Sequence, residues 1–290
     1  MRRRFKENEP LSCHTSFCIG GPADFFVRIA DTADLRAALK TAAAAKARCR
    51  VIGAGSNILA LDAGVAGVVM KLDAPSFKKI SVRGNRVTAG AGVNLAALVG
   101  ECSRRGLSGL EFLAGIPGTV GGGISMNCGT SSDTGRKSIG DRIATIRVMD
   151  YKGQLSTLSR RSARFGYRCS GLSGYIVLSA TFLLARSSRQ EVRNAVRVFL
   201  EARSGQDYRF PSAGCVFRNP AGRSAGMLID SCGLKGARAG RARISERHAN
   251  FIVNTGSASA GDVLALMELE KKKVKERFGI TLRPEIKIWR

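Results

Sequence analysis

The sequence predicts an α+β protein of two or three packed units, and three observations support this prediction. The chain has 290 residues, about twice the ~150 residues of a typical domain. Short runs that are typical of strands are mixed with amphipathic stretches that are typical of helices. The pattern also changes character near residue 185, where a capped amphipathic helix follows a buried strand. We therefore expect a domain boundary there.

The part of the chain before residue 185 carries most of the predicted strands. The spacing of Leu35, Leu39 and Ala42 predicts a helix over residues 31–47, with Thr32 as its N-cap. The other elements predicted here are strands over 49–52 and 67–72, a hairpin of 80–82 with 87–89, a helix over 94–105, a glycine-dense loop over 108–130, a hairpin of 143–149 with 155–158, and a buried strand over 176–184.

The part after residue 185 contains two helices that begin with capping boxes. Ser188 and Glu191 open the first helix, which we expect to stop at Gly205. Ser259 and Asp262 open the second helix, which runs to residue 278. Between them the pattern predicts a short helix over 224–232 and a strand over 251–254.

Composition and charge limit the classes of protein. Hydrophobic residues make up 44% and charged residues 24%, which excludes wholesale disorder. The net charge of +25 favours anionic partners: nucleic acid, acidic membranes or phosphorylated small molecules. The most apolar run, residues 175–185, is too short to span a membrane, and acidic residues follow the basic start where a signal peptide would be apolar. We therefore expect a soluble, cytoplasmic protein without a membrane partner.

Nucleic-acid binding and metal binding are disfavoured by the residue pattern. The basic run over 271–275 is interleaved with glutamates, and one Trp and four Tyr offer few rings for stacking on bases. The eight cysteines form no C-x-x-C pair, and His14 and His248 are far apart in the sequence. We expect reduced thiols, no metal site and no nucleic-acid partner, and we interpret both histidines as ordinary hydrogen-bonded residues.

Two glycine-rich stretches are candidates for binding phosphate groups. Gly53 to Asn57 follows a strand, but Ile58 stands where a dinucleotide fingerprint needs its third glycine. A Rossmann fold is therefore disfavoured, and an ordinary tight turn is an equal alternative. Residues 115–123 contain five glycines, whose backbone N–H groups we expect to be free to bind an anion such as a pyrophosphate. A flexible surface loop is the alternative, although two such cradles suit an extended dinucleotide.

A series of short motifs carries a resemblance to a known family. The motifs are Thr15 to Phe17 with Ile19 to Asp24, Gly53 to Leu59, Gly109 to Gly122, Met126-Asn127, Tyr167-Arg168, Gly214 to Pro220, Leu228 to Asp230, Gly233 to Gly236, His248 to Phe251 and Pro284 to Ile286. In this order they resemble the UDP-N-acetylenolpyruvoylglucosamine reductase family, in its shorter class, over about residues 11–289. Each motif alone is weak evidence, and the whole series is specific.

The resemblance implies a fold and a function. The fold is a two-subdomain FAD-binding unit of the vanillyl-alcohol-oxidase (PCMH) type over residues 1–72 and 73–185, followed by an α+β substrate-binding domain over 186–290 whose last residues return to the active site. The implied function is FAD-dependent reduction of UDP-N-acetylglucosamine enolpyruvate to UDP-N-acetylmuramate, with NADPH as cosubstrate. This reaction serves the peptidoglycan synthesis that underlies cell-wall biogenesis, cell shape and cell division. The expected partners are the UDP-sugar and NADPH, and a monomer is expected.

The resemblance also implies three catalytic residues. Arg168 matches the residue that clamps the substrate carboxylate, and Glu285 matches a glutamate that holds a proton or a hydrogen bond in the same cluster. Cys215 stands where most members have a serine that donates a proton to the substrate α carbon. A thiol has a reference pKa of about 8.5 and is mostly protonated at neutral pH, so activity should survive. Taken alone, Cys215 is typical of a small buried hydrophobe and Arg168 of a surface cation.

The remaining implied site residues bind the substrate or the cofactor. Asn219 and Lys235 are expected to contact the substrate. The residues expected to bind FAD are Gly53, Gly55, Ser56, Asn57, Gly115, Pro117, Gly118, Gly121, Gly122 and Asn127. Residues 131–141 depart from the family pattern, and Cys128 and Thr130 stand where alanine is usual. The alternatives are a flavoprotein with a different substrate and, from charge alone, a nucleic-acid-binding protein whose binding weakens with salt and needs no flavin.

Overall fold

The computed structural model of the protein describes residues 5–132 and 135–290, and residues 1–4 and 133–134 lie outside this description. The chain packs as two compact units, each assembled from separated stretches. Unit 1 contains Phe5, Val27–Gly53 and Val68–Ser204, and unit 2 contains Lys6–Phe26, Ala54–Gly67 and Gly205–Arg290. The sequence analysis expects two FAD-binding subdomains over 1–72 and 73–185 and a substrate-binding domain over 186–290. This assignment of ligands to parts of the chain stays a prediction.

The described residues contain six α-helices. They are α1 (Thr32–Ala44), α2 (Leu95–Arg105), α3 (Val120–Ser125), α4 (Arg189–Glu201), α5 (Ala225–Ser231) and α6 (Ala260–Phe278). The first four belong to unit 1 and the last two to unit 2.

The described residues also contain nineteen strands. They are β1 (Lys6–Pro10), β2 (Pro22–Arg28), β3 (Cys49–Ile52), β4 (Ile58–Ala60), β5 (Val65–Lys71), β6 (Ile80–Arg83), β7 (Arg86–Gly90), β8 (Leu107–Ser108), β9 (Gly129–Ser132), β10 (Gly135–Ser138), β11 (Ile143–Asp150), β12 (Leu155–Ser159), β13 (Tyr175–Leu183), β14 (Ala185–Arg186), β15 (Ser212–Cys215), β16 (Arg238–Ala239), β17 (Ala242–Ile244), β18 (Phe251–Asn254) and β19 (Lys287–Trp289). Both units mix helices with mainly antiparallel strands, so the predicted α+β class is confirmed.

Unit 1 is built on an antiparallel five-stranded sheet with the strand order β12-β11-β13-β7-β6. One core of the unit joins this sheet to α2, with Ala180 and Phe182 of β13 fully or almost fully buried. A second core joins Ile176 and Leu178 of the same strand to α1 and to the parallel pair β3 and β5. Strand β13 therefore contributes side chains to both cores of unit 1.

Unit 2 is built on an antiparallel four-stranded sheet with the strand order β15-β18-β17-β16. The buried face of helix α6 packs in the same core. Strand β4 pairs in parallel with the C-terminal strand β19. Phe17, Ile19 and Leu59 from the N-terminal part of the chain are buried in this core as well. Sequence periodicity did not predict this arrangement, because the contacts join segments about 200 residues apart.

The two predicted capping boxes are confirmed. The Ser188 hydroxyl accepts a hydrogen bond from the Glu191 backbone N–H at 3.1 Å, and the Glu191 carboxylate accepts one from the Ser188 N–H at 3.0 Å. Ser259 and Asp262 form the same reciprocal pair at 3.0 Å in both directions. Each box satisfies two backbone donors that the first turn of a helix leaves without an internal partner.

Three local predictions are wrong. The N-cap of α1 is Asp31, whose carboxylate accepts from the Asp34 N–H at 2.9 Å, whereas Thr32 is already helical. Helix α4 ends at Glu201 with Ala202 as its C-cap, so Gly205 lies beyond the helix end. The glycine-dense stretch predicted as a loop contains α3, because Thr119 provides an N-cap to the Gly122 N–H.

Candidate active site

The first glycine-rich stretch follows β3 and contributes to both units. In unit 1, a Cβ added to Gly53 would lie 2.5 Å from the Thr119 hydroxyl oxygen, so the backbone of Gly53 approaches Thr119 closely. In unit 2, Gly55 has φ of +66°, and a Cβ there would lie 2.2 Å from the His14 carbonyl oxygen. Both positions therefore require glycine for packing reasons that hold whatever the stretch binds.

The second glycine-rich stretch differs from its prediction in where its N–H groups go. The N–H groups of residues 120–123 all donate within the protein: Val120 to the Val93 carbonyl, Gly121 to the Ala91 carbonyl, Gly122 to the Thr119 hydroxyl and Gly123 to the Thr119 carbonyl. The expectation that the N–H groups of this stretch are free to bind an anion is wrong for these four. Gly121 lies close to Ala91, whereas Gly122 is exposed with only the Thr119 hydroxyl near its missing Cβ, at 3.6 Å.

Asn127 joins two loops of unit 1 with the two ends of its buried side chain. Its Oδ1 accepts from the Gly140 N–H at 3.0 Å, and its Nδ2 donates to the Gly166 carbonyl at 2.8 Å. Asn127 is 7% exposed and adopts a left-handed φ of +45°, a conformation that asparagine tolerates better than most residues. Asn127 therefore positions the turn that leads into Arg168. This role is separate from the contact with FAD that the sequence analysis expects.

Arg168 lies in a left-handed turn, with φ of +54°, next to a polar cavity of about 200 Å³ in unit 1. Its Nη1 donates to the Gly129 carbonyl at 2.9 Å, which ties the guanidinium group to the start of β9. The Tyr167 ring lies 5.7 Å from the same guanidinium. A half-buried guanidinium held from two sides is suited to binding a carboxylate with its planar fork.

Cys215 and Glu285 lie on neighbouring backbone segments of unit 2. Cys215 ends β15 and pairs with Phe251 of β18. The Glu285 N–H donates to the Val216 carbonyl at 2.7 Å, and Phe217 forms a β-bridge with Pro284. The structure thus brings together two predicted site residues that are 70 positions apart, and both are half-buried.

Asn250 fixes the turn that follows Cys215, and sequence reasoning did not assign it this role. Its Oδ1 accepts from the Phe217 N–H at 2.9 Å, and its Nδ2 donates to the Phe217 carbonyl at 2.8 Å. Asn250 is 1% exposed and stands between apolar residues at the start of a buried strand. An amide in such a place must be hydrogen-bonded, and this sequence signal could have found it.

The other predicted polar residues make contacts within unit 2. Asn57 donates to the Glu285 carbonyl at 3.3 Å, so it lies beside the segment that carries Glu285. The Asn219 side chain accepts from the Ala225 N–H at 3.0 Å, at the start of α5. The Lys235 ammonium pairs with the Asp230 carboxylate at 2.6 Å. Their expected contacts with cofactor or substrate stay predictions.

Both histidines are ordinary hydrogen-bonded residues, as predicted. His14 lies 2.9 Å from Glu9 and stacks on Phe26 with ring centroids 4.1 Å apart. Its hydrogen bond is the main cause that lowers the pKa of the Glu9 carboxyl. His248 accepts from the Asn250 N–H at 3.3 Å, and burial lowers the pKa of its ring. Across residues 5–132 and 135–290, no group of three His, Cys, Asp or Glu side chains is arranged to hold a metal ion.

Comparison with known proteins identifies relatives along the whole chain. Residues 23–159 match the family described as FAD binding domain, and residues 206–289 match UDP-N-acetylenolpyruvoylglucosamine reductase, C-terminal domain. UDP-N-acetylenolpyruvoylglucosamine reductase 2 of Symbiobacterium thermophilum is 42% identical over 99% of this chain and 92% of its own length. The reductase of Geobacter metallireducens is 41% identical, over 99% and 95%. The crystal structure of UDP-N-acetylenolpyruvylglucosamine reductase from Thermus caldophilus has a TM-score of 0.86 and 38% identity, covering both chains completely.

The fold and these matches define an FAD-dependent oxidoreductase. Within that class, the chain belongs to the UDP-N-acetylenolpyruvoylglucosamine reductase family. It reduces UDP-N-acetylglucosamine enolpyruvate in the synthesis of peptidoglycan precursors, with FAD as cofactor and NADPH as cosubstrate. Among the residues that the structure describes, none of the helices combines the length and apolar character needed to cross a membrane.

Proposed function

We propose that Arg168, Cys215 and Glu285 carry out the substrate chemistry of this reductase. The observation that supports the proposal is the pairing of the Glu285 N–H with the Val216 carbonyl, which sets a thiol and a carboxyl group on adjacent segments. The proposal keeps Asn219 and Lys235 as substrate contacts. In this role Lys235 exchanges its Asp230 partner for a phosphate or hydroxyl group of the UDP-sugar.

The glycine-rich stretches are compatible with FAD on geometric grounds. Gly122 is exposed and has no side chain, and only the Thr119 hydroxyl lies near the position of its missing Cβ. Phosphate groups of dinucleotides approach such bare backbone closely. We propose that Gly53, Gly55, Ser56 and Asn57 hold one part of the cofactor. The second set consists of Gly115, Pro117, Gly118, Gly121, Gly122 and Asn127.

The substrate carboxylate is the group that Arg168 binds in this proposal. FAD, when bound, supplies the carrier of two electrons between NADPH and the enolpyruvyl double bond. Reduction at the β carbon leaves negative charge on the α carbon and its carboxylate, and a fixed guanidinium stabilises that charge as it develops. Arg168 is suited to this because the Gly129 carbonyl fixes one of its nitrogens.

The proton that completes the reduction comes from Cys215. The S–H group protonates the substrate α carbon, and the thiolate then regains a proton from solvent. The Glu285 carboxyl group forms a hydrogen bond within the cluster that contains Cys215. This bond limits the positions that the reacting groups adopt. A cysteine performs the step that a serine performs in most members of the family, at the cost of sensitivity to oxidation.

The first prediction concerns Cys215→Ala in the two half-reactions, measured anaerobically by flavin absorbance. The variant should be reduced by NADPH at the wild-type rate and reoxidised by the enolpyruvyl UDP-sugar roughly 10²-fold to 10⁴-fold more slowly, because only the second half-reaction needs the proton. Cys215→Ser should recover most of the rate. Cys232→Ala is the matched control, since Cys232 is another half-buried thiol of unit 2. Equal loss in both half-reactions would remove Cys215 from the proton-transfer step.

We also propose that the protein acts as a cytoplasmic monomer. Its cosubstrate NADPH and its nucleotide-sugar substrate are cytoplasmic small molecules, and the cysteine pattern suits a reducing compartment. Light scattering coupled to size exclusion should give a mass near 30.9 kDa for the polypeptide. A concentration-independent mass of twice that value would replace the monomer by a dimer.

A further inference from the structure

The cavity next to Arg168 opens on a hairpin that departs from the family pattern. Strands β9 and β10 form this hairpin, with Arg136 opposite Ser131 and Ser138 opposite Gly129. The cavity is lined by residues of the hairpin and by the Phe165–Arg168 segment, all within unit 1. Because Arg168 also donates to the Gly129 carbonyl, hairpin and turn are tied together at this cavity.

The lining of this cavity is strongly cationic. Arg136, Lys137, Arg160 and Arg168 line it, against the single carboxylate of Asp141. That carboxylate is already engaged, since it pairs with Arg160 at 2.9 Å and accepts from the Ser138 N–H and hydroxyl. Like charges gathered in a concave site raise the local potential and attract anions.

Two of these guanidinium groups are placed around one aromatic ring. Arg136 lies 5.2 Å and Arg168 5.7 Å from the centroid of Tyr167. Contact with the Tyr167 ring stabilises both cations at these positions. Arg136 of the hairpin therefore lies beside the same ring as Arg168, the proposed catalytic arginine. Lys137 differs, because its ammonium lies over the Phe199 ring at 5.4 Å. Arg136 and Arg168 therefore share one ring of the cavity, whereas Lys137 lies over a ring outside its lining.

The size and chemistry of the cavity indicate one charged group of a larger ligand. A volume of about 200 Å³ is below the roughly 300 Å³ at which pockets for whole ligands begin. Guanidinium groups bind phosphate in a bidentate manner, and both polyanionic substrates of the proposed reaction carry phosphate. We propose that Arg136 and Arg160 form a phosphate-binding extension of the Arg168 site. This inference rests on the proposed function, because it assumes that Arg168 binds substrate.

The test uses the FAD-loaded enzyme and two probes that do not need turnover. Adenosine 2′,5′-bisphosphate represents the phosphates of NADPH, and UDP represents the diphosphate of the sugar nucleotide. Isothermal titration should show that Arg136→Ala raises the Kd of one probe about tenfold or more, since a charge-assisted hydrogen bond is lost. Arg160→Ala should raise the Kd of the same probe, and the affected probe identifies which substrate supplies the phosphate.

Arg86→Ala is the matched control. Arg86 is an exposed arginine in the β6–β7 hairpin of the same unit, so its removal changes the net charge equally but leaves the cavity intact. Its Kd values should stay within about twofold of wild type. The inference is overturned if Arg136→Ala leaves both Kd values unchanged, if Arg86→Ala changes them as much, or if the wild-type enzyme binds neither probe. Failure of the proposed function would appear separately, as flavin that NADPH reduces and the UDP-sugar does not reoxidise.

Discussion

The two units hold their functional segments in different ways, although each uses a buried asparagine. In unit 1, Asn127 connects two separate loops with one hydrogen bond each, and a backbone bridge between Gly166 and Cys169 closes the turn that contains Arg168. In unit 2, Asn250 bonds both backbone groups of Phe217, and backbone pairs of the adjoining segments support the same turn. The comparison teaches that side chains attach the Arg168 turn to its neighbouring loops, whereas backbone pairs as well as a side chain attach the Cys215 segment to its neighbours.

The largest expected effect is that of Asn127→Ala. It removes both loop contacts and places alanine at a left-handed φ, so the Arg168 turn shifts. A displacement of about 1 Å in a positioning element costs on the order of 10²-fold in rate. The rate of flavin reoxidation by the UDP-sugar should fall by about that factor in protein that circular dichroism shows to be folded. An unchanged rate would break the comparison on the unit 1 side.

Asn250→Ala should act on stability more than on rate. It leaves the buried N–H and carbonyl of Phe217 without partners, which costs about 2 kcal/mol in the free energy of unfolding. The backbone bonds from Val216 to Asn250 and from Glu285 to Val216 remain, so Cys215 keeps its place. Urea unfolding should show the loss of stability, and the folded fraction should retain its reoxidation rate within about tenfold. A larger loss of rate than in Asn127→Ala would reverse the comparison.

The two units also differ in the hydrogen bonding of their buried glutamates. Glu111 in unit 1 accepts two hydrogen bonds from the Gly109 N–H, at 2.8 and 3.0 Å. Glu270 on α6 in unit 2 is 0% exposed, and neither of its carboxyl oxygens has a hydrogen-bond partner among the described residues. Burial raises the pKa of Glu270 well above its ordinary value, so the folded protein keeps this carboxyl protonated where the unfolded chain ionises it.

The free energy of unfolding should therefore fall as the pH rises from the ordinary pKa of glutamic acid towards the raised pKa of Glu270. Above the ordinary pKa of glutamic acid the unfolded chain binds fewer protons than the folded one, and the free energy of unfolding falls by up to about 1.4 kcal/mol per pH unit. The fall ends above the raised pKa of the folded state. Glu270→Leu should remove this component, so its stability advantage over wild type should grow with pH. A constant difference in urea unfolding between pH 4.5 and pH 7 would exclude the assignment.

The smallest expected effects are those of the two capping boxes. Ser188→Ala removes the side-chain cap of α4 and should cost about 1 kcal/mol in unfolding free energy. Ser259→Ala should cost less, because the Asp62 carboxylate also accepts from the Ala260 and Gly261 N–H groups at 2.8 and 3.1 Å. Thermal unfolding of the two variants side by side tests this difference. Equal losses would show that the second carboxylate does not support α6.

Much of the local structure could be predicted because its causes are local. Serine and an acidic residue three positions later begin α4 and α6, and apolar periodicity marks the central strand β13. The prediction failed at α3, because three of its six residues are glycines, which are poor helix formers, and the Thr119 cap and the hydrogen bonds to residues 91–93 stabilise the helix. The short strands β4 and β19 were missed for a related reason, since they pair with each other across more than 200 residues of the chain.

The sequence by itself determined the fold class, the capped helices and the motif order that marks Arg168, Cys215 and Glu285. These features depend on neighbouring residues or on the identity of single side chains, so they can be seen without coordinates. Only the tertiary structure decided that N-terminal residues join the core of unit 2, that the N–H groups of residues 120–123 bond internally, and that Asn127 and Asn250 hold the site segments. Those outcomes depend on contacts between residues far apart in the chain, which long-range packing selects and local propensity does not encode.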